Sequence, residues 1–195
     1  MRAIVVGNSS NLLGKGLGRV IDEHDVVVRC NSFKIEGHEE DVGKKTNVWG
    51  LGTGGGAYVA LMRFMGRYDV SLGFVPKLNH IWIPYSKVGN PNTFNMFLIL
   101  LHSMGPQVVK KISTLQKRVE RRAKKLVSSP STGFASICRA IDEFGSVSVA
   151  GFGNVEGCGP SHYYDTDVVF STRHKFCDEF SSILLLQEEG KVRIL

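Results

Sequence analysis

The fold is decided early in the chain, at residues 3–11, which read AIVVGNSSN. The run Ile4–Val6 is short, apolar and rich in β-branched residues, which is typical of a buried strand. It ends at Gly7 and a polar cluster that favours a turn. Because α/β proteins bind ligands at the carboxyl ends of their strands, this turn is either an ordinary connection or a ligand loop.

The same pattern recurs along the chain. Short apolar runs predict further strands at 26–28, 47–49, 81–83, 147–150 and 192–194. The segments between the strands predict helices at 12–22, 57–65, 94–104, 110–127, 134–144 and 176–187. Strands that alternate with helices predict an α/β fold: one domain over residues 1–195, with a twisted, mostly parallel sheet flanked by helices.

Length and composition are those of one globular domain. The chain has 195 residues, of which 43% are hydrophobic and 22% charged, so it is long enough to build its own core. No apolar run approaches the ~20 residues that cross a bilayer, and no leader precedes the first strand. Its four cysteines lack zinc-binding spacing. We therefore expect a soluble protein of the cytoplasm.

The net charge of +6 is concentrated in one segment. Residues Lys110–Lys125 hold eight basic side chains against the single acid Glu120, a balance of +7 that leaves −1 for the rest of the chain. Such a patch is either a solvated helix face or a surface that attracts an anionic membrane. Nucleic-acid binding is not predicted, because the segment lacks interleaved aromatic residues and a supporting motif.

Two familiar phosphate-binding motifs are absent from the first strand and its turn. Ser9 stands where a P-loop needs its first glycine before Gly14-Lys15, and Gly16 follows where that motif needs Ser or Thr. The GxGxxG fingerprint of dinucleotide-binding proteins also fails, because only Gly7 directly follows the strand.

Other polar clusters allow more than one interpretation. Ser131-Thr132-Gly133 precedes a predicted helix, where such residues either cap the helix or hold an anion. His162 and His174 are structural, surface or catalytic histidines, and Glu179 follows the second by five residues. The triplet at 165–167 reads Asp-Thr-Asp, like the Asp-x-Asp of metal-using glycosyltransferases, but so short a pattern arises often by chance.

Together these segments resemble the motifs of one enzyme family. Residues 3–46, from the first strand to Lys45-Thr46, resemble the long sialyl motif of eukaryotic sialyltransferases, glycosyltransferase family 29. Pro130–Gly133 followed by Gly151–Gly153 resembles the short sialyl motif, and His162–Asp165 resembles the third motif. His174 to Glu179 resembles the very small His-x4-Glu motif. All four stand in the family's order.

The resemblance implies a modified GT-A fold and inverting transfer of sialic acid from CMP-sialic acid to a glycan or glycolipid hydroxyl, without metal or cofactor. It implies that His174 is the general base, that His162 faces the donor phosphate, and that Glu179 orients the local structure. It further implies nucleotide binding by Asn8, Ser9, Asn31, Ser131, Thr132 and Gly133.

The departures from the family leave alternatives open. The family's disulfide partners are replaced by Ala3 and Phe144, which we expect to form an apolar contact. Arg29-Cys30-Asn31 and Tyr163-Tyr164-Asp165 are nearest to the α2,8-linking branch. The donor could instead be CMP-Kdo or a neutral nucleotide sugar, and the chain could be an inactive nucleotide-binding relative. Golgi association, as in the family, is the alternative to a cytoplasmic location.

Overall fold

The computed structural model describes residues 1–52, 78–83, 98, 105–114, 116–153, 162–164 and 176–195. Its seven strands are β1 Ala3–Val6, β2 Val26–Cys30, β3 Val48–Gly50, β4 His80–Ile83, β5 Ile112–Thr114, β6 Val147–Ala150 and β7 Val192–Ile194. Within these residues, the α-helices of four or more residues are α1 Gly18–Asp22, α2 Glu39–Val42, α3 Lys117–Leu126, α4 Thr132–Phe144 and α5 Phe176–Glu188. Two 3₁₀ helices cover Ser10–Leu12 and Pro106–Lys111.

The strands form one sheet in the order β5-β4-β3-β2-β1-β6-β7. Every neighbouring pair is parallel, with Val5 opposite Val28 of β2 on one side and Val149 of β6 on the other. The predicted α/β fold is thus confirmed. The chain builds the sheet outward from β1 to β5 and then returns to place β6 beside β1, so the order reverses between these two strands. This reversal is the point at which open α/β sheets bind ligands.

Alternating side chains of β1 build a core on each face of the sheet. Ala3 and Val5 lie in the cluster formed with α3, α4 and α5, whereas Ile4 and Val6 pack against Leu12, Ile21 and Val42 on the other face. The period of two follows from the pleat of a strand. Ala3 is buried in the first cluster and Phe144 packs against that same cluster; the expected direct contact between the two side chains stays a prediction.

The predicted helix at 110–127 is wrong in its first half. Residues Ile112–Thr114 form β5, which pairs with β4 through Ile81 opposite Ile112, and the helix begins only at Lys117. The β-branched pair Ile112 and Thr114 suits a strand, and pairing at the sheet edge decides the structure there.

The predicted helix at 12–22 is also shorter than expected. It divides into the 3₁₀ turn at Ser10–Leu12 and α1, separated by Gly14 and Gly16 with φ of 70° and 61°. These left-handed conformations interrupt a helix and favour glycine. The predicted helix at 57–65 lies outside the described residues, as does the helix at 94–104 except for Leu98, which is helical.

Candidate active site

The candidate site lies at the carboxyl edge of the sheet, where β1 and β6 end side by side. Backbone hydrogen bonds continue the pairing past both strands, from Gly7 N to the Ala150 carbonyl at 2.8 Å and from Ser9 N to the Gly151 carbonyl at 3.1 Å. The backbones are so close that a Cβ added at Gly7 would lie 2.3 Å from the Gly151 oxygen. Glycine is therefore required here, and the two polar loops are held against each other.

Asn8 and Asn31 fix the loops of the site through different atoms of their side-chain amides. Asn8 Nδ2 donates to the carbonyls of Cys30 at 3.1 Å and Ser32 at 2.8 Å. Asn31 Oδ1 accepts from Gly52 N at 2.9 Å, and Asn31 itself holds φ at 51°. Among the described residues none pairs with Asn8 Oδ1 or Asn31 Nδ2, so a ligand would find an acceptor on Asn8 and a donor on Asn31.

Ser9 has a similar divided role. Its Oγ accepts from Asn11 N at 3.3 Å and caps the 3₁₀ helix Ser10–Leu12. Within the described part of the chain, no acceptor takes its hydroxyl proton. The predicted nucleotide residues Asn8 and Ser9 follow β1, Asn31 follows β2, and both strands end at the same edge of the sheet.

The buried carboxylate of Glu179 joins α5 to the start of α4. Glu179 is only 3% exposed, and its Oε1 and Oε2 accept from Ser131 N at 2.5 Å and Ser131 Oγ at 2.8 Å. Ser131 Oγ in turn accepts from Phe134 N at 3.1 Å as the N-cap of α4. Both donors of Ser131 are therefore engaged by Glu179. Glu179 thus holds the N-cap residue of α4; its orienting role at the site stays a prediction.

The next two residues of α4 supply the free donors. No described group accepts from the N–H of Thr132 or Gly133, which are the first two residues of the helix. Gly133 lies against Phe152 after β6, since a Cβ there would sit 2.8 Å from the ring. The start of α4 is thus placed beside the end of β6, where free N–H groups and the helix dipole favour an anion.

His162 is positioned by the tyrosines that follow it. Its ring stacks on Tyr164 with centroids 5.2 Å apart and planes 10° apart. Tyr163 N donates to the Asn8 carbonyl at 3.0 Å, which draws this segment to the loop after β1. Burial raises the pKa of Tyr163 to about 12, so its phenol stays protonated at neutral pH. His162 therefore shares the carboxyl edge with Asn8.

The remaining predicted residues lie outside the described part of the chain. These are the proposed base His174 and the Asp165–Asp167 triplet. Within the described residues, no group of three His, Cys, Asp or Glu side chains is arranged to hold a metal ion. Cys30 and Cys138 are buried free thiols.

Arg29 supports the site in a way that the sequence analysis did not anticipate. It is 1% exposed, and its guanidinium donates to the carbonyls of Val42 at 2.6 Å, Gly43 at 3.2 Å and Lys45 at 3.1 Å. Burial lowers its pKa. It therefore ties the 42–45 loop to the strand that leads into Asn31. The available signal was an arginine inside an otherwise apolar strand.

Comparisons with known proteins place the chain beside the sialyltransferases. A model of Glycosyltransferase family 29 (sialyltransferase) matches residues 1–191. The CMP-N-acetylneuraminate-beta-galactosamide-alpha-2,3-sialyltransferase 4 of Mus musculus is 25% identical over 238 residues, which include 100% of this chain. The CMP-N-acetylneuraminate-beta-1,4-galactoside alpha-2,3-sialyltransferase of Homo sapiens is 51% identical over 47 residues, which are 24% of this chain and 12% of that protein.

A solved structure shares the fold. The crystal structure of a mammalian sialyltransferase superposes with a TM-score of 0.67 and 22% identity, covering 100% of this chain and 68% of that chain. The chain spans 64% of the length of the mouse relative. Among the described helices, none combines the length and apolar character needed to cross a membrane.

Proposed function

The chain belongs to glycosyltransferase family 29, the sialyltransferases, and we propose that it transfers sialic acid from CMP-sialic acid to a hydroxyl of a glycan or glycolipid. The observation that supports this proposal is that segments resembling the four family motifs lie together at the carboxyl edge of the sheet. The long motif contributes the ends of β1 and β2, the short motif the start of α4, and the third motif His162. Glu179 of the very small motif binds Ser131 of the short one.

The chemistry has two parts. The donor phosphate gains charge as the bond to sialic acid breaks, and preorganised donors stabilise such charge. We assign this role to the N–H groups of Thr132 and Gly133, with His162 as a further donor. Asn8, Ser9 and Asn31 hold the rest of the nucleotide. Glu179 and Ser131 act on the phosphate indirectly, by fixing the start of α4.

The acceptor hydroxyl must lose a proton as it attacks. We propose His174 as the general base, because an imidazole with a pKa near ~6.5 accepts a proton at neutral pH. Direct attack on the donor sugar inverts the anomeric centre. The monophosphate leaving group carries less charge than a diphosphate, so we propose that protein donors stabilise it without a metal.

A donor-hydrolysis assay tests the proposal. CMP-sialic acid should be consumed in EDTA as fast as in magnesium, and faster than CMP-Kdo or a UDP-sugar. Preference for another nucleotide sugar would establish the alternative donor, and a strict metal requirement would implicate the Asp165–Asp167 triplet. CMP binding without turnover of any donor would identify an inactive nucleotide-binding relative.

The linkage is tested by the product. The curated relatives above carry α2,3 in their names, whereas Arg29-Cys30-Asn31 and Tyr163-Tyr164-Asp165 favour α2,8 by resemblance. Acceptors ending in galactose or in sialic acid separate the two linkages. The cytoplasmic location stays a prediction from the sequence.

We further propose that the basic segment contacts an anionic membrane that carries a glycolipid acceptor. The support for this contact comes from α3, where Lys117, Arg121 and Lys125 are exposed and four residues apart, on one side of the helix. Two neighbouring cations are paired, Arg118 with Asp142 at 2.8 Å and Lys124 with Glu120 at 2.6 Å. The row therefore presents three charges opposite the buried Val119 and Ala123 stripe.

Vesicle sedimentation tests this contact. Each basic residue near an anionic bilayer contributes about 1 kcal/mol, so replacing all three with Gln should weaken binding to phosphatidylserine vesicles roughly 100-fold. The matched control replaces the exposed Lys15, Lys191 and Arg193 with Gln, which removes the same charge elsewhere. Equal losses in both triple variants would show non-specific attraction and refute the contact.

A further inference from the structure

The segment after β2 is held in place by side chains from two other loops. The Cys30 and Ser32 carbonyls accept from Asn8 Nδ2. The Lys34 carbonyl accepts from the Tyr163 hydroxyl at 2.6 Å, and Lys34 N donates back to that oxygen at 3.2 Å. Asn31, whose φ is left-handed, lies between Cys30 and Ser32, whose carbonyls are held in this way.

The Ser32 carbonyl is shared by two side chains of the candidate site. It accepts from Asn8 Nδ2 at 2.8 Å and from the Tyr164 hydroxyl at 2.9 Å. Two donors fill the two lone pairs of a carbonyl oxygen. Ser32 is 7% exposed, so water has little access to compete for this oxygen.

Tyr164 has contacts at both ends of its side chain. The ring stacks on His162, and the hydroxyl bonds Ser32. A tyrosine side chain changes direction by rotation about its Cα–Cβ bond, so a bond at the hydroxyl end fixes the direction of the ring axis. The hydroxyl bond of Tyr164 therefore holds the ring on which His162 stacks, and it does so at the same carbonyl oxygen that accepts from Asn8.

We propose that Tyr164 is a positioning residue that aligns His162 with Asn8 through the shared carbonyl of Ser32. The inference rests on the proposed role of His162 at the donor phosphate. Tyr163 differs from Tyr164 because its hydroxyl bonds Lys34 and its ring meets His38 and Tyr164 edge-on. The two neighbouring tyrosines thus have separable roles, one toward the loop and one toward His162.

A double-mutant cycle on transfer kinetics tests this role. Tyr164→Phe keeps the ring and leaves Ser32 bonded to Asn8, so the variant should fold. Its kcat should fall about 10-fold. This lies between the few-fold loss expected from one neutral hydrogen bond and the ~100-fold loss expected when a catalytic group is misplaced by 1 Å. The KM for the donor should change less than ~2-fold. In a His162→Ala background, the same substitution should lower kcat by less than ~2-fold, because the residue it positions is gone.

Tyr163→Phe is the matched control, since it removes a hydroxyl from the adjacent residue and the same loop. Its loss should be the same with or without His162. An equal cost of Tyr164→Phe in both backgrounds, or no cost with His162 present, would overturn the positioning role. CMP calorimetry on the wild-type chain distinguishes failure of this inference from failure of the proposed function. If CMP binds but the mutant cycle is additive, only the positioning role of Tyr164 is refuted. If CMP does not bind, the proposed function is refuted and this inference with it.

Discussion

Removing the charge of Glu179 should destabilise the protein, because this carboxylate holds the start of α4. It accepts two hydrogen bonds from Ser131 in a buried position. Bonds to a charged group contribute about 1.5–3 kcal/mol each, against about 0.5–1.5 kcal/mol for neutral ones. Glu179→Gln keeps the shape and loses this difference twice, which gives about 2–3 kcal/mol.

Two smaller effects act on the same residue. A carboxylate at a helix N-terminus gains about 0.3–1 kcal/mol from the helix dipole, which the amide loses. Desolvation acts in the opposite direction, because a neutral amide is less costly to bury than a charge. The amide must also place two N–H donors where Ser131 presents only one free lone pair. We therefore expect a net loss of about 2 kcal/mol for Gln, and about 3–5 kcal/mol for Ala, which leaves Ser131 N unpaired.

Urea unfolding with the slope and midpoint compared across variants measures this effect. The matched control is Glu188→Gln on the exposed end of the same helix, which should stay within about 0.5 kcal/mol of wild type. A cycle with Ser131→Ala should be non-additive, since both residues share the two bonds. A loss below 0.5 kcal/mol for Glu179→Gln, or an additive cycle, would refute the assigned contact.

Three further predictions concern the two proposed catalytic histidines, the close approach of Gly7 to Gly151, and Asp41 of α2. His174→Ala should slow transfer by ~10²–10⁴-fold while CMP still binds. His162→Ala should slow transfer and also weaken CMP binding, by about 1.5–3 kcal/mol. If kinetics and calorimetry show the reverse pattern, the two histidines have exchanged roles. Gly7→Ala should cost at least about 3 kcal/mol in urea unfolding, because its Cβ would overlap the Gly151 backbone oxygen, and a loss under 1 kcal/mol would contradict that close approach. The N–H groups of Gly16 and Gly14 lower the pKa of Asp41, so its stabilisation is complete above the unfolded pKa of about 3.9 and is lost as pH falls through the lower folded pKa. The stability difference between wild type and Asp41→Asn should therefore shrink between about pH 5 and pH 2, and a difference that stays constant would refute the role of Asp41.

The strands could be predicted because their signal is local. Val26–Val28 and Val147–Ala150 are mostly apolar runs bounded by polar residues, and both lie in buried strands inside the sheet. The same reasoning fails at Ile112–Thr114, where apolar positions fit a helix and a strand equally well. The choice there depends on β4, whose Ile81 lies opposite Ile112. A partner that distant in the chain leaves no mark in the local pattern.

The candidate site, too, could be predicted only in part. Residue types and motif order predicted Asn8, Asn31 and His162, which lie at one edge of the sheet. The five-residue spacing from His174 to Glu179 gave no indication that Glu179 contacts Ser131, 48 positions away in sequence. The shared carbonyl of Ser32 could not be predicted either, because a backbone oxygen has no sequence signature.

The hydrogen bonds inside the protein decide which groups are left for a ligand. The sequence predicts that Ser131 donates to an anion, yet its N–H and its hydroxyl both donate to Glu179. Asn8 has given both amide protons to Cys30 and Ser32 and offers only an acceptor. Asn31 has used its oxygen on Gly52 and offers only donors. Together with the N–H groups at the start of α4, the groups that no described residue pairs with are mostly donors, with Asn8 Oδ1 as an acceptor among them. That set complements a phosphate that carries a nearby hydroxyl or amine, as a nucleoside monophosphate does.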